Sequence, residues 1–207
     1  MQVRSPDDLD MDRRLLGLLQ GFDDLEQAFK HTARLLARRL NEAEFSAWCD
    51  TVRDLLEGNF GAPIVRAYLA LAERWPSERP LGDLVGIGKA LRVIGRETGS
   101  TAVQALLDGL PRIFLRVPQP LDLAKVLADL ERLAKAAPES VALVARRLES
   151  IFTKVDTAGF EAWLLSGIRA CGTSVARRRA YFGLDDPLST RLLMPGGAGR
   201  DFARLEK

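Results

Sequence analysis

A recurring pair of amphipathic helices constrains the fold of this chain more than any other feature. Its clearest copy is residues 121–155, LDLAKVLADLERLAKAAPESVALVARRLESIFTKV, which Ala137-Pro138-Glu139 breaks into two helical segments. Each segment places apolar residues at the three- and four-residue spacing of a helix with one buried face. One hairpin cannot cover its own apolar face, so the pattern predicts that neighbouring hairpins stack and share a core.

The repeat is visible when equivalent helices are aligned. In the second helices, apolar residues recur every 38 positions: Val65, Tyr68, Leu69, Ala72 and Trp75, then Val103, Leu106, Leu107, Leu110 and Ile113, then Val141, Val144, Ala145, Leu148 and Ile151. In the first helices they recur every 39 positions: Trp48, Val52 and Leu55, then Ile87, Leu91 and Ile94, then Val126, Leu130 and Leu133. Periods near 40 with two helices each are typical of HEAT-like α-solenoids.

The predicted fold is therefore all-α, built from HEAT-like helical hairpins that form an α-solenoid or superhelical bundle. The hairpins span roughly residues 42–75, 80–117, 120–155 and 156–183, within a single domain of residues 1–194. Residues 195–207 begin Pro-Gly-Gly-Ala-Gly and are predicted to form a flexible tail. No segment alternates apolar and polar residues, so we expect no strands. A closed helical bundle remains the alternative, since its helices are amphipathic in the same way.

Helix boundaries follow from residues that cap helix ends. A side-chain oxygen at the first cap position accepts hydrogen bonds from free backbone N–H groups. On this basis, the predicted N-caps are Ser5, Asn41, Asp156 or Thr157, Thr173 or Ser174, and Asp186, and a further helix begins at Asp23 or Asp24. Pro111 falls inside the second helix of its hairpin and predicts a kink there.

Composition excludes several classes of function. The 30 basic and 28 acidic residues nearly balance, at +2, so bulk charge does not indicate a dedicated nucleic-acid binder. Cys49 and Cys171 form no Cys-x-x-Cys motif, and the single histidine, His31, lies off the apolar stripe of its helix. A disulfide framework, a histidine metal site and a catalytic triad are therefore not expected. No run reaches the roughly 20 apolar residues of a membrane span, and the acidic N-terminus is unlike a secretory signal, which predicts a cytoplasmic protein.

One segment partly matches a nucleotide-binding motif. Gly86-Ile87-Gly88-Lys89 is similar to the end of a phosphate-binding loop, but Asp83 occupies the position of the first glycine and Ala90 that of the Ser or Thr. No strand precedes the segment, so we expect no nucleotide cofactor. Close helix packing is the better explanation of the small residues at 82, 86 and 88.

Two arginine clusters are the candidate interaction surface. Arg146-Arg147 and Arg177-Arg178-Arg179 could contact phosphates, because stacked helices with aligned arginines can hold a nucleic-acid backbone. Such clusters are more often the solvated face of an amphipathic helix. Trp48, Trp75, Trp163 and Tyr181-Phe182 fall on apolar stripes and are predicted to be core residues.

The C-terminal part of the repeat region resembles a known family. Trp163, Gly167-Ile168, Ala180-Tyr181-Phe182-x-Leu184, Pro187-x-Ser189 and Leu192-Leu193 resemble the helical N-terminal region of von Willebrand factor A (VWA) adaptor proteins. That group includes the nitric oxide reductase activation protein and the Rubisco-activase adaptor. The motif residues cover 160–193, and a broader likeness covers 81–193.

The resemblance implies a role in an ATPase-driven system. Proteins of this family work with a MoxR-class AAA+ ATPase that remodels or activates a target enzyme. The metal-binding Asp-x-Ser-x-Ser motif of the VWA domain is absent, because the nearest segment is Asp186-Pro187-Leu188-Ser189-Thr190. Metal binding and ATPase activity are therefore not carried over, and the adaptor role is what the resemblance implies.

The sequence predicts a non-enzymatic helical scaffold that docks another protein, without a cofactor. The expected partner is a MoxR-class ATPase or the enzyme that it serves. A nucleic-acid-binding solenoid that uses the two arginine clusters is the alternative. An enzyme with a pocket between helices is a third reading, and no sequence feature supports it.

Overall fold

A computed structural model describes residues 17–19, 22–58, 60–116 and 121–183, and nearly all of this part is helical. Besides residues 17–19, it contains α1 (Asp23–Ala37), α2 (Glu42–Glu57), α3 (Ala62–Glu73), α4 (Leu81–Thr98), α5 (Ser100–Arg116), α6 (Leu123–Ala136), α7 (Pro138–Ala145), α8 (Leu148–Phe152), α9 (Thr157–Cys171) and α10 (Val175–Phe182). These ranges include no strand, which confirms the all-α prediction. None of the described helices combines the length and apolar character needed to cross a membrane.

Within the described ranges, a predicted residue caps each helix for which a cap was predicted: Asn41, Asp156 of the pair Asp156-Thr157, and Ser174 of the pair Thr173-Ser174. Asn41 accepts a hydrogen bond from the Glu44 N–H at 2.9 Å, and the Glu44 carboxylate accepts one from the Asn41 N–H at 3.0 Å, which completes a capping box. Asp156 accepts from the Gly159 N–H at 2.7 Å, and Ser174 caps α10. The predicted helices that begin at Ser5 and Asp186, and the tail of residues 195–207, lie largely or wholly outside the described residues.

The hairpin of residues 120–155 differs from its prediction in one place. The sequence predicts one continuous second helix, whereas the structure divides it into α7 and α8 at Arg146-Arg147. The Arg147 N–H donates to the Val144 carbonyl at 3.0 Å, three residues back instead of four. At this point the backbone of α5 approaches closely, because a Cβ on Gly109 would lie 2.5 Å from the Ala145 carbonyl oxygen. The chain thus tightens and turns where α5 meets the end of α7.

The structure divides into two compact units, Met1–Arg92 and Val93–Lys207, and the division falls within α4. In the first unit, α3 packs against both α1 and α2. The Phe29 ring stacks on Trp48 with centroids 5.4 Å apart, and both residues are fully buried. Tyr68 is also buried, and its hydroxyl donates to the Leu84 carbonyl at 2.9 Å. Burial of such side chains stabilises the unit by roughly 2–3 kcal/mol each.

In the second unit, helices pack mainly against helices that are not their immediate neighbours. Helix α5 packs against α7 and α8, α6 against α9, and α7 against α10. The sequential pairs α6 with α7 and α9 with α10 also pack. The apolar stripes of these helices are buried, including Val126, Leu130, Leu133, Val141 and Val144.

The glycines of α4 are only partly explained by close helix packing. A Cβ on Gly88 would overlap the methyl group of Thr51 and lie 3.1 Å from the Tyr68 hydroxyl, so Gly88 does permit close approach. The same explanation is wrong for Gly82 and Gly86, because no atom of the described residues lies within 4 Å of their Cβ positions. Those two glycines face open space on the helix surface.

Candidate functional site

The two arginine clusters predicted as an interaction surface belong to different parts of the second unit. Arg146 follows the last residue of α7 and is exposed, and Arg147 precedes α8 and is half-buried. The triplet Arg177 to Arg179 lies in the middle of α10, which packs against α7. Helix α7 is therefore the element that both arginine clusters adjoin.

Within the triplet, Arg178 has a structural role. Its Nε donates to the Gly172 carbonyl at 2.8 Å, and its Nη1 lies 3.4 Å from the Glu139 carboxylate. The side chains of Arg178 and Glu139 are only 13% and 17% exposed, so this ion pair is well shielded from solvent. It ties α10 to the first turn of α7 and to the turn between α9 and α10.

The structure does not merge the five arginines into one site. Arg178 meets α7 at Glu139, seven residues before Arg146, which corresponds to about 10 Å along the helix axis. Arg177 and Arg179 are exposed, as is Arg146. The exposed arginines of the predicted interaction surface are therefore Arg177 and Arg179 on α10, and Arg146, which lies apart from them after the C-terminal end of α7.

Trp163, Gly167, Tyr181 and Phe182 form one cluster between α9 and α10. The Trp163 ring lies 6.0 Å from Tyr181 and 5.3 Å from Phe182, edge to face with the latter. The Tyr181 hydroxyl donates to the Trp163 carbonyl at 3.1 Å. A Cβ on Gly167 would overlap both the Tyr181 and the Phe182 rings, so only glycine fits there. These contacts pack α9 against α10.

The predicted core role of the aromatic residues is confirmed. Trp48, Tyr181 and Phe182 are fully buried, and Trp75 and Trp163 are 3% and 6% exposed. None of the five is therefore placed to stack on a base or a ligand at the surface.

Cys171 and His31 lie in different environments. Burial raises the pKa of the Cys171 thiol, although the nearby Arg178 and Arg177 guanidiniums oppose that rise. A thiol of raised pKa is a poor nucleophile at neutral pH. His31 is 62% exposed, as predicted, and its Nε2 lies 3.4 Å from the Glu73 carboxylate. The Gly86-to-Lys89 segment lies inside α4, where helical hydrogen bonds occupy the backbone N–H groups that a phosphate loop would present.

A charged network on α6 and α9 was not anticipated from the sequence. Lys125 and Arg132 of α6 both contact Glu161 of α9, at 2.8 and 3.4 Å, and Arg132 also donates to Asp129 at 3.0 Å. The Lys125 hydrogen bond lowers the pKa of Glu161 and raises that of Lys125. The network therefore joins the first helices of two successive hairpins.

Asp129 is the buried member of this network. It is 2% exposed, and its Oδ2 has no hydrogen-bond partner in the described part of the chain. Burial, and then the charge of Glu161, raise the pKa of its carboxyl above the usual range. The sequence contains a signal for the burial of Asp129, because this residue lies three residues after Val126 and four before Leu133, on the apolar stripe of its helix. The unpaired oxygen is therefore buried and shielded from solvent.

No group of three or more His, Cys, Asp or Glu side chains within the described ranges could hold a metal ion. Cys49 and Cys171 are both buried, and neither is part of a disulfide. Comparisons with protein-family models, with curated proteins and with solved structures find no match to this chain.

Proposed function

We propose that this protein is a non-enzymatic helical scaffold that docks another protein, within a MoxR-type AAA+ enzyme-activation system. The observation that carries the proposal is the packing order in the second unit, where α5 contacts α7, α6 contacts α9 and α7 contacts α10. Successive hairpins of a superhelical repeat stack first helix on first helix and second helix on second helix. A superhelical repeat of this kind would present a long surface suited to docking a partner protein.

The aromatic cluster of α9 and α10 supports the link to VWA-associated adaptors. The motif residues Trp163, Gly167, Tyr181 and Phe182 contact one another, so the resemblance rests on a set of residues that fold together. The adaptor role and the MoxR-class partner are what this resemblance contributes to the proposal.

Affinity purification tests the proposal. The tagged chain is used to capture partners from a lysate of its own source cells at moderate salt, with nuclease treatment, and the bound proteins are identified by mass spectrometry. We expect a MoxR-class ATPase or the enzyme that it serves, and binding must then be reproduced with the purified proteins. Measurable hydrolytic or transferase activity in the isolated chain would argue against a pure scaffold.

Nucleic-acid binding is the second candidate, favoured by the exposure of Arg146, Arg177 and Arg179 in one unit. Contacts to phosphates release counterions, so such binding must weaken steeply as salt concentration rises. A duplex and a single strand titrated at low and physiological salt distinguish this function from protein docking. Negligible binding at low salt would remove it.

A further inference from the structure

The exposed residues of α1 lie on one side of this helix. At about 100° per residue, the whole set falls within a sector of about 100°, and the buried residues Leu25, Phe29 and Leu36 lie on the opposite side. Arg38, the C-cap, has helical backbone angles, so the same period holds through it. We call this sector the outer face of α1, and it consists of Asp24, Gln27, His31, Arg34, Leu35 and Arg38.

The charged side chains in the first half of the outer face are paired with α3. Asp24 pairs with Arg66 at 3.5 Å, and His31 pairs with Glu73 at 3.4 Å. Both members of the second pair lie seven residues after those of the first, so α1 and α3 run side by side in the same direction. A partner that meets this half of the face finds its charged groups already engaged.

The second half of the outer face carries two arginines without a partner. Arg34 and Arg38 are exposed, and neither side chain has a hydrogen bond or an ion pair within the described ranges. Their spacing places them one turn apart, about 6 Å along the helix axis. Leu35 lies beside them and is 37% exposed, although the next residue, Leu36, is fully buried. The helix dipole favours cations in the last turn, but it gives no reason for an exposed leucine among them.

This half of the face fits an acidic protein segment better than a nucleic acid. Two glutamates four residues apart on a partner helix match the spacing of Arg34 and Arg38 and can form charge-assisted pairs with them. A nucleic-acid strand carries a charge at every nucleotide, so a strand that follows α1 towards its start meets the carboxylates of Asp24 and Glu73. The Leu35 side chain gains nothing from phosphates, whereas it can pack against an apolar side chain of a protein.

We propose that Arg34, Leu35 and Arg38 dock an acidic amphipathic helix of a partner protein. Two carboxylates of that helix, one turn apart, pair with Arg34 and Arg38, and an apolar side chain beside them packs on Leu35. This inference rests on the proposed docking function and names the surface that performs it.

Direct binding to the full-length chain is the first test. The probe is a fluorescein-labelled helical peptide with two glutamates four residues apart and a leucine on the same face, and its fluorescence anisotropy is measured at low and physiological salt. We expect Arg34→Glu/Arg38→Glu to weaken binding by about tenfold or more, the size expected for the loss of charge-assisted pairs. Leu35→Ser is expected to weaken binding less, and to a similar degree at both salt concentrations. Lys89→Glu, which reverses an exposed charge on α4 of the same unit, is the matched control and is expected to have no effect.

A milder variant guards against an effect of charge reversal on the fold. Arg34→Gln/Arg38→Gln removes both charges and keeps residues that favour a helix, so it is expected to lose binding as well. Circular dichroism of each variant verifies that the helical fold is intact. Equal binding by wild type and by both double variants would exclude this surface as the docking site.

Two further outcomes would assign the surface to a different occupant and overturn the inference. Tighter binding to a DNA strand of equal charge than to the peptide, lost in the same variants, would assign it to nucleic acid. Self-association of the wild-type chain in sedimentation velocity, abolished by Arg34→Glu/Arg38→Glu, would assign it to a second copy of this chain.

A second readout separates this inference from the function on which it rests. If the wild-type chain captures a MoxR-class ATPase and the Arg34→Glu/Arg38→Glu variant captures it equally well, docking stands and the α1 surface is wrong. If the acidic peptide binds through α1 but no ATPase or target enzyme is captured, the surface stands and the proposed system is wrong.

Discussion

At the scale of single residues, the most informative position is Asp129, a carboxyl in the apolar face of α6. An ionised carboxylate that is 2% exposed loses most of its hydration, and only one of its oxygens has a partner, Arg132, in the described structure. The raised pKa of Asp129 means that the folded state favours the protonated carboxyl more than the unfolded chain does. Above the pKa of the unfolded state, this residue therefore lowers the free energy of unfolding.

The Asp129→Asn variant is expected to be more stable than wild type at pH 7, by about 1 kcal/mol, because a neutral amide costs less to bury than a carboxylate. The gain is expected to shrink as the pH falls through the raised pKa of Asp129 and to vanish below the ordinary value of 3.8, where both states carry the protonated acid. Urea unfolding at pH 7 and at acidic pH measures both effects. Glu131→Gln, a half-buried neighbour on the same helix, is the control, and a loss of stability at pH 7 in Asp129→Asn would contradict the account.

A second prediction at the residue scale concerns the stability that Tyr181 contributes to the aromatic cluster. Its buried hydroxyl donates to the Trp163 carbonyl at 3.1 Å, and removal of the hydroxyl leaves that acceptor without this bond. We expect Tyr181→Phe to reduce the free energy of unfolding by about 1 kcal/mol while near-ultraviolet circular dichroism keeps its aromatic signals. A stability equal to that of wild type would mean that the hydrogen bond does not help to hold α9 against α10.

At the scale of helices, start signals could be predicted from the sequence and interactions between helices could not. Asn41, Asp156 and Ser174 cap helices as predicted, because capping depends on neighbours within three residues. The division of α7 from α8 at Arg146-Arg147 was missed, since it coincides with the close approach of α5 at Gly109. That contact joins residues that are distant in the sequence, and no local pattern records it.

Helix α4 provides a matched pair of substitutions that separates helix propensity from packing. Gly86→Ala is expected to increase the free energy of unfolding by about 0.5–1 kcal/mol, because the Cβ meets no atom of the described residues within 4 Å and alanine favours the helix. Gly88→Ala is expected to reduce it by about 1–3 kcal/mol, because the Cβ overlaps the Thr51 methyl group. Thermal or urea unfolding measures both variants. A change of the same sign in both would contradict the distinction between an open and a packed face of α4.

At the scale of the whole molecule, the sequence predicted the class of fold more fully than the site. The all-α class follows from apolar spacing that extends over most of the chain, and the described residues confirm it. The arginine surface was predicted from clustering alone, and clustering does not reveal that Glu139 and Gly172 engage Arg178. The side chain of Glu139 reaches that arginine only because α7 and α10 pack together. The superhelical arrangement of the hairpins, the single domain of residues 1–194 and the adaptor role stay predictions.

The measurement that tests the central claim most directly is nuclease-treated affinity purification of the tagged chain, followed by reconstitution with the purified partner. The account predicts that a MoxR-class ATPase, or the enzyme that it activates, remains bound after nuclease and binds the isolated chain without a cofactor. Loss of every bound protein after nuclease treatment would contradict it.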